Sequence, residues 1–297
     1  MPVASYLSSE GIYESEQHFS DACLQHYQQQ GWVLLKGFYD KKLDLLPIHI
    51  DVNQLIAAKV KELALDLPFE VVGPINHEAF LAICRTDRSK AGEVYRATRH
   101  LSSTQKLLVK ENNLQLARLL MGTDHVNVLP YVPLRIDVKG EEKYLFDWHQ
   151  DFPYTQGSED GIVIWAPLFD VLNNEGGIKF IPSSHKHGIE PVIIADKQNS
   201  KENGAHTVRL PDAERFDTQQ AYTLDVHAGD VLVFSTLLLH KSLPLQQQQI
   251  RWTTQLRYAN FSHPAAVQKG WPGGMIESCW FEDIYPEYVV QDNKETA

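Results

Sequence analysis

Hydrophobic positions change their spacing partway along the chain, helical at first and strand-like afterwards. Phe19, Cys23 and Tyr27 fall on one face of a helix that Ser20 opens as N-cap and Gly31 stops, and WVLLKGF (32–38) then reads as a strand. Between Pro47 and Pro68, Ile56, Val60, Leu63 and Leu67 recur at steps of four, three and four, the mark of an amphipathic helix. Residues 102–121 read as one further helix, with Ser102 or Ser103 as cap and Gly122 as stop. From there to about residue 260 strand patterns dominate: VNVLPYV, PLRIDV, YLFDWHQD, GIVIWAPL, IKFIP, HTVRL, AYTLDV, DVLVFSTLLLH and RWTTQLRY. Asn173-Asn174-Glu175-Gly176-Gly177 supplies residues that tolerate positive φ, as a hairpin turn requires, and Ala228-Gly229-Asp230 turns the chain into the run that ends on His240. Helices first and many short strands after them predict a mainly β fold with flanking helices, a double-sheet jelly roll.

Length adds one constraint. A chain of 297 residues with 43% hydrophobic content can bury one sizeable core. No repeat, low-complexity tract or linker divides it. The expectation is a single domain over 1–297: mostly helical support to 125, a jelly-roll core over 126–260 and a C-terminal segment over 261–297, its polar tail from 286 prone to fray. Cys23, Cys84 and Cys279 are odd in number and far apart, so neither a disulfide framework nor a thiolate metal site is indicated. The opening MPVASYLSSEGIYESE has no basic region followed by an apolar one, and no apolar run reaches about 18 residues, so a cytoplasmic protein without a membrane partner is expected.

A net charge of −11 argues against a nucleic-acid partner, because affinity for polyanions comes from Lys and Arg neutralising phosphates. One local exception is Arg85, Arg88, Lys90, Arg96 and Arg99, partly offset by Asp87 and Glu93. That segment reads either as a solvated surface or as a lid that meets an acidic substrate.

The chemistry concentrates in four residues. His149 and Asp151 flank Gln150, and far downstream His240 is followed by Arg251. In a strand, residues i and i+2 share a face, so His149 and Asp151 can grip one ion together. Two imidazoles and one carboxylate on one side of a metal leave three positions open, the arrangement of non-haem Fe(II) oxygenases. A guanidinium matches a carboxylate bidentately, which suits Arg251 to the far end of an oxo-acid. In RWTTQLRY, Arg251, Thr253, Gln255 and Arg257 alternate with Trp252, Thr254, Leu256 and Tyr258, so one face is polar and the other packs. A His-x-Asp pair taken alone is usually a surface hydrogen-bonded pair, and its context decides. His185 and His187 share the same spacing, yet they lie between Ser183-Ser184 and Gly188 and read as loop histidines. Trp148 and Trp252 read as core packing.

That context, FDWHQDFPYTQGSEDGIVIWAPLFDVLNNEGGIKFIPSSHKHG (146–188) and GDVLVFSTLLLHKSLPLQQQQIRWTTQLRY (229–258), resembles the phytanoyl-CoA dioxygenase family of Fe(II)/2-oxoglutarate oxygenases. Trp-His-x-Asp, a Trp-x-Pro-Leu strand, a glycine turn, Ile-Pro-x-Ser-His, a Gly-Asp strand to His and then Arg occur in order, and residues 19–38 look like the family's opening helix and strand. The resemblance implies a double-stranded β-helix (cupin-like jelly roll) with Fe(II), 2-oxoglutarate and O2 as cofactor and co-substrates. It assigns His149, Asp151 and His240 to the metal and Arg251 to the 2-oxoglutarate C5 carboxylate. Ser242, Thr253, Gln150 and Trp165 match positions near the co-substrate. The stretch between Asp151 and Trp165 is shorter than in the type member, so Phe152 to Gly157 transfer least. Asp151 itself is intact, unlike the halogenase branch, where a small residue replaces the carboxylate.

The implied reaction is oxidative decarboxylation of 2-oxoglutarate to succinate and CO2, coupled to hydroxylation of a substrate C–H bond; desaturation, ring closure and epimerisation share the oxidant. Arg135 and Arg257 are candidate clamps for a small polar, anionic metabolite, or else partners of Asp137, Asp147 or another acid, with Tyr154 and Gln255 as further substrate-side candidates. A cupin-like Zn or Ni enzyme without 2-oxoglutarate and a non-catalytic binding jelly roll are the alternatives. The oligomeric state stays open.

Overall fold

The structure, a computed structural model, describes residues 10–129, 134–194, 208–273 and 280–291; Cys279 and the end of the polar tail lie outside them. A short strand β1 (Ile12–Tyr13) precedes α1 (Asp21–Gln30), which Ser20 caps by accepting from the Cys23 N–H and Gly31 ends at φ 80°. β2 (Trp32–Leu35) follows as expected, and α2 (Leu46–Glu62) buries Ile48, Val52, Ile56 and Val60.

Two helices, α3 (His77–Thr86) and α4 (Arg88–Thr98), fill a region whose sequence showed only a cluster of cations. Asp87 separates them by capping α4 through the Ser89 N–H. The single helix expected over 102–121 is instead α5 (Ser102–Leu108) and α6 (Glu111–Met121), with Leu101 rather than a serine at the first N-cap. A side chain competes with the helix here: buried Asn113 donates to the Leu107 carbonyl at 2.7 Å and accepts from the Tyr39 hydroxyl at 2.9 Å, so that carbonyl leaves the helical ladder. Gly122 ends α6 at φ 63°.

The strands after residue 125 are β3 (Val126–Leu129), β4 (Leu134–Val138), β5 (Ile162–Pro167), β6 (Ile178–Phe180), β7 (Ile193–Ile194), β8 (Val208–Arg209), β9 (Tyr222–Thr223), β10 (Val231–Ser235), β11 (His240–Ser242) and β12 (Ile250–Asn260). The larger sheet runs β1-β2-β10-β5-β12-β3, with β4 beside β3 along the same edge of β12. β2 therefore lies inside the main sheet, so the first 125 residues contribute to the jelly roll as well as to its helical support. The smaller sheet runs β11-β6-β9, and β7 pairs with β8.

Each face of the larger sheet has its own core. On one, Val33, Ile164, Val233, Trp252, Leu256 and Tyr258 pack with Ile48, Ile56, Phe80 and Leu116 of the helices. On the other, Trp32, Val163, Trp165 and Phe234 pack with Ile178 and Phe180 of the smaller sheet. Three layers result: helices, large sheet, small sheet. This is the jelly roll that the strand pattern implied, and among the described residues its sheets face each other without closing into a barrel. Asn173 and Asn174 sit at φ 54° and 62° in the turn before β6, but this turn carries the chain from the larger sheet to the smaller one and is not the hairpin expected, since β5 and β6 do not pair. Buried Asp230 accepts from Lys36 and from the Gly37 and His227 N–H groups, which staples the turn into β10 to the end of β2.

Leu256, with no exposed surface, marks the packing face of β12. Leu256→Ala is expected to lower unfolding free energy by about 2–5 kcal/mol in denaturant titration; a loss under about 1 kcal/mol would show that the two faces of β12 are assigned the wrong way round.

Candidate active site

Backbone pairing brings the two histidines together. The His149 N–H donates to the His240 carbonyl at 3.0 Å and the reverse bond is 3.1 Å, so their rings stand 4.1 Å apart. Neither sits where regular strands were expected. His149 occupies an isolated bridge, Asp151 has helical φ/ψ as N-cap of α7 (Phe152–Thr155), and β10 stops at Ser235 so that His240 begins β11 instead of ending the previous strand. The i, i+2 spacing still delivers both side chains to one point. The turn into α7 is built from local bonds, Thr155 N–H to the Asp151 carbonyl among them.

The donor set suits a metal. Nδ1 of His149 lies 2.7 Å from the Asp147 carbonyl and Nδ1 of His240 lies 2.8 Å from the Leu238 carbonyl, so each Nδ1–H is consumed and each Nε2 is left as the ligand atom. The two Nε2 atoms lie 3.6 and 3.8 Å from Asp151 Oδ1, within the roughly 4 Å that two ligands of one ion can span. These three residues form the only such His, Cys, Asp or Glu group among the described residues, and all three are buried. The protonation of His240 and Asp151 fits as well. Burial pushes His240 down to about 3, with His149 adding to the effect. Burial tends to raise Asp151, but Arg257 and the imidazoles outweigh it and hold the carboxyl well below its ordinary range. Neutral imidazoles and an ionised carboxylate are what a divalent ion requires.

β4 and β12 supply the next group through their register. Arg251 stands opposite Asp137, and Thr253 opposite Arg135, so all four side chains share one face. Asp137 holds two guanidiniums: Arg135 Nη2 lies 2.7 Å from Oδ1, while Arg251 donates to Oδ2 through Nε at 3.1 Å and Nη2 at 2.6 Å. Burial would raise the Asp137 carboxyl, yet Arg135 and Arg251 bring it to about 2. Arg251 Nη1, the Thr253 hydroxyl and the Trp165 indole N–H are buried without partners. Buried polar groups are nearly always paired, so Arg251 Nη1 and the Trp165 indole N–H, whose residues both line one cavity, mark where a polar ligand belongs. Glu175, from the glycine turn, accepts from the Gln247 and Gln248 N–H groups at 2.9 and 3.1 Å and fixes the loop that leads into Arg251.

These groups open on a cavity of about 440 Å3 between the sheets, closed on one side by α4. His149, Asp151, His240, Trp165, Ser242, Tyr154, Gln255, Arg135, Arg251 and Arg257 all line it. Gln150 does not. Its amide donates to the Gly188 and Leu237 carbonyls at 2.9 and 2.7 Å and accepts from the Glu190 N–H at 2.9 Å, which corrects its placement beside the co-substrate. His149 and Asp151 converge on one point, and Gln150 between them is taken up by those three backbone bonds. Two substrate candidates are also reassigned. Arg257 donates through Nε to Asp151 Oδ2 at 2.8 Å and through Nη2 to Gln255 Oε1 at 2.9 Å, and Arg135 is held by Asp137 and the Tyr144 carbonyl. Both are committed to carboxylates of the site, as one of the two sequence readings allowed. The Tyr154 hydroxyl donates to the Val208 carbonyl, leaving its ring to the cavity. Of the loop histidines, His185 is half-buried against the Gln28 carbonyl at 3.2 Å and belongs to no metal group. Trp148 and Trp252 pack in cores as expected. Sequence reading named Asp137 among the acids that could neutralise Arg135 or Arg257, and the structure adds its bond to Arg251, which rests on the register of β4 against β12.

Asp137→Asn leaves two buried guanidiniums without a counter-charge, and unfolding free energy is expected to fall by about 3–5 kcal/mol at neutral pH. Because the folded carboxyl is depressed to about 2 from 3.8, its contribution is complete above about pH 4 and is lost as pH falls toward 2. Stability measured against pH should therefore be flatter across that window in the variant. An equal slope in both proteins would contradict the pairing.

Comparison with known proteins agrees with this geometry. The phytanoyl-CoA dioxygenase family model matches residues 74–253, more than half of the chain. Two curated relatives, the 1-deoxypentalenic acid 11-beta-hydroxylases of Streptomyces exfoliatus and Streptomyces arenae, are each 24% identical over 75% of this chain and 74% of theirs. Among solved structures, EvdO2 from Micromonospora carbonacea var. aurantiaca is similar in fold, with a TM-score of 0.50 at 14% identity over 81% of this chain and 92% of that one. The non-heme alpha ketoglutarate dependent epimerase SnoN from nogalamycin biosynthesis aligns at a TM-score of 0.44 and 20% identity, over 80% of this chain and 81% of that one. The chain belongs to the phytanoyl-CoA dioxygenase family and is a non-haem iron, 2-oxoglutarate-dependent dioxygenase.

Proposed function

We propose that this dioxygenase hydroxylates a C–H bond of a small anionic metabolite and releases succinate and CO2. His149, Asp151 and His240 would hold Fe(II), and Arg251, assisted by Ser242, Thr253 and Trp165, would hold 2-oxoglutarate. The observation that carries this reading is the unpartnered Nη1 of buried Arg251, in the same cavity as the convergent imidazoles and carboxylate. A Zn or Ni cupin without a dicarboxylate co-substrate would have no use for that donor. The hydroxylase names of the two curated relatives support the reaction type.

When bound, iron and 2-oxoglutarate supply the oxidising chemistry; the chain's residues orient and exclude. The Asp147 and Leu238 carbonyls fix the imidazole tautomers, and Arg257 turns Asp151 so that Oδ1 faces the histidines. Asp137 grips Arg251 from one side and leaves Nη1 to a carboxylate. Phe146, Val163, Ile178 and Phe234 line the same cavity and keep water from the reacting carbon.

Charge argues for an anionic substrate. Deep in the cavity three guanidiniums, Arg135, Arg251 and Arg257, face two carboxylates, Asp137 and Asp151. A divalent ion adds two positive charges and a dicarboxylate removes two, so one positive charge is left for the substrate to offset. A cavity of about 440 Å3 also lies within the range of small-molecule sites, about 300–1,000 Å3, and suits two small molecules better than a long acyl-CoA.

Succinate release with Fe(II), 2-oxoglutarate and a metabolite panel tests the reaction. Stimulation is expected from small anionic compounds and not from long acyl-CoA esters, and robust turnover of the latter would refute the substrate class. His240→Ala should abolish both Fe(II) binding and succinate formation; a variant that still bound Fe(II) with wild-type affinity would remove His240 from the ligand set. Arg251→Gln should raise the KM for 2-oxoglutarate roughly 30-fold or more while Fe(II) affinity stays near wild type, the cost of losing a charge-assisted contact being about 2–5 kcal/mol. An unchanged KM would sink that assignment.

A further inference from the structure

The cation cluster of residues 85–99 separates into two kinds in the fold. Arg85 lies 3.9 Å from Glu78, Arg88 donates to both oxygens of Glu141 at 2.5 and 2.7 Å, and Lys90 reaches Glu62 and Glu93. Arg96 and Arg99 have no carboxylate within salt-bridge distance among the described residues, and both line the cavity. In a chain of net charge −11 with 38 acidic residues, the two cations of this cluster left without an acid both border the pocket.

Their surroundings keep them open. Gly92 lies one turn before Arg96, in the interior of α4, where glycine costs about 1 kcal/mol relative to alanine. It also lines the cavity, where a Cβ built on it would meet Arg96 Nη1 at an ordinary contact distance of 3.6 Å, and both Arg96 and Arg99 are exposed. One turn beyond Arg96, Arg99 lies 5.8 Å from the centre of the Tyr95 ring, a cation–π contact that steadies it at the mouth. α4 itself packs on β4, so these residues lie above the Arg135–Asp137–Arg251 group.

We infer that Arg96 and Arg99, with Gly92 and Tyr95, form an anion subsite at the cavity mouth that receives a carboxylate or phosphate-ester group of the substrate. The inference rests on the reading of the cavity as a 2-oxoglutarate oxygenase site and assigns the substrate's charge to a place in it. The two deep arginines that the sequence offered for this role are held by Asp137 and Asp151, whereas α4 offers a fork with no competing acid. Anchored at the mouth, a small molecule extends its uncharged portion past Tyr95 and Phe146 toward His149, Asp151 and His240, which places the oxidised carbon away from the charged end.

Calorimetric titration of the full chain tests this anaerobically, with Fe(II) and saturating 2-oxoglutarate at constant ionic strength. Inorganic phosphate is the probe in one arm and malonate in the other, and the tighter of the two names the group. The Arg96→Gln/Arg99→Gln double variant is expected to bind the preferred anion at least about tenfold more weakly than wild type. Arg96→Lys/Arg99→Lys, which keeps the charge, should recover part of the affinity and controls for misfolding. Arg85→Gln, outside the cavity, should bind like wild type. Wild-type affinity in the double glutamine variant, or binding of neither anion by the wild-type protein, would overturn the inference. The 2-oxoglutarate isotherm recorded first reports separately on the proposed function: its absence would count against that reading and leave the anion comparison to be judged by its own result.

Discussion

Two carboxylates organise this molecule because each is divided between two partners. Asp151 gives one oxygen to Arg257 and turns the other to His149 and His240; Asp137 gives Oδ1 to Arg135 and shares Oδ2 between Arg135 and Arg251. Removing five charges from water costs several kcal/mol apiece unless each finds partners of good geometry. One strand enters both groups, since Arg251 and Arg257 stand on β12 and Asp137 comes from the strand beside it. The alternation of β12 thus decides two matters at once. Its even-numbered residues Trp252, Leu256 and Tyr258 seal the helical core, and the odd-numbered Arg251, Gln255 and Arg257 line the site. A slip of one residue would exchange the two sets, driving guanidiniums into the helical core and aromatic rings into the cavity.

The helices complete an electrostatic division. Acidic residues outnumber basic ones along the chain, yet the cavity is lined by six arginines and two aspartates. Of the surplus acids, Glu62 and Glu93 neutralise the outward Lys90 of α4, and Glu141 neutralises Arg88 at the cavity's edge. Attraction for an anion is therefore confined to a concave space within a molecule that repels anions elsewhere, a condition that favours small ligands over polyanionic surfaces.

Much of this architecture is legible in the sequence, and the reasons differ from part to part. The β12 faces, the first helix with its cap and stop, and the asparagine–glycine turn rest on local rules, and the fold keeps them. The metal triad is visible because i, i+2 spacing brings two ligands together even where the backbone leaves the regular strand at Asp151. Long-range competition is invisible. Nothing local says that Asn113 will take the Leu107 carbonyl and divide a helix, or that Gln150 will bridge Gly188 and Leu237 rather than face the co-substrate. The fates of Arg135 and Arg257 are open in the sequence for the same reason: the nearest carboxylate to an arginine depends on strand register, and register is a property of two segments together.

The reciprocal backbone bonds between His149 and His240 have a consequence for how the centre is assembled over the protein's lifetime. Because main-chain pairing and two carbonyl-anchored imidazoles hold the ligands in place, the ion is not needed to draw distant segments together, and its loss frees little chain entropy. The centre should then behave like a socket: chelation would empty it reversibly, other divalent ions of similar size would enter it, and selection of iron would fall to the supply of metal around the protein rather than to the fold.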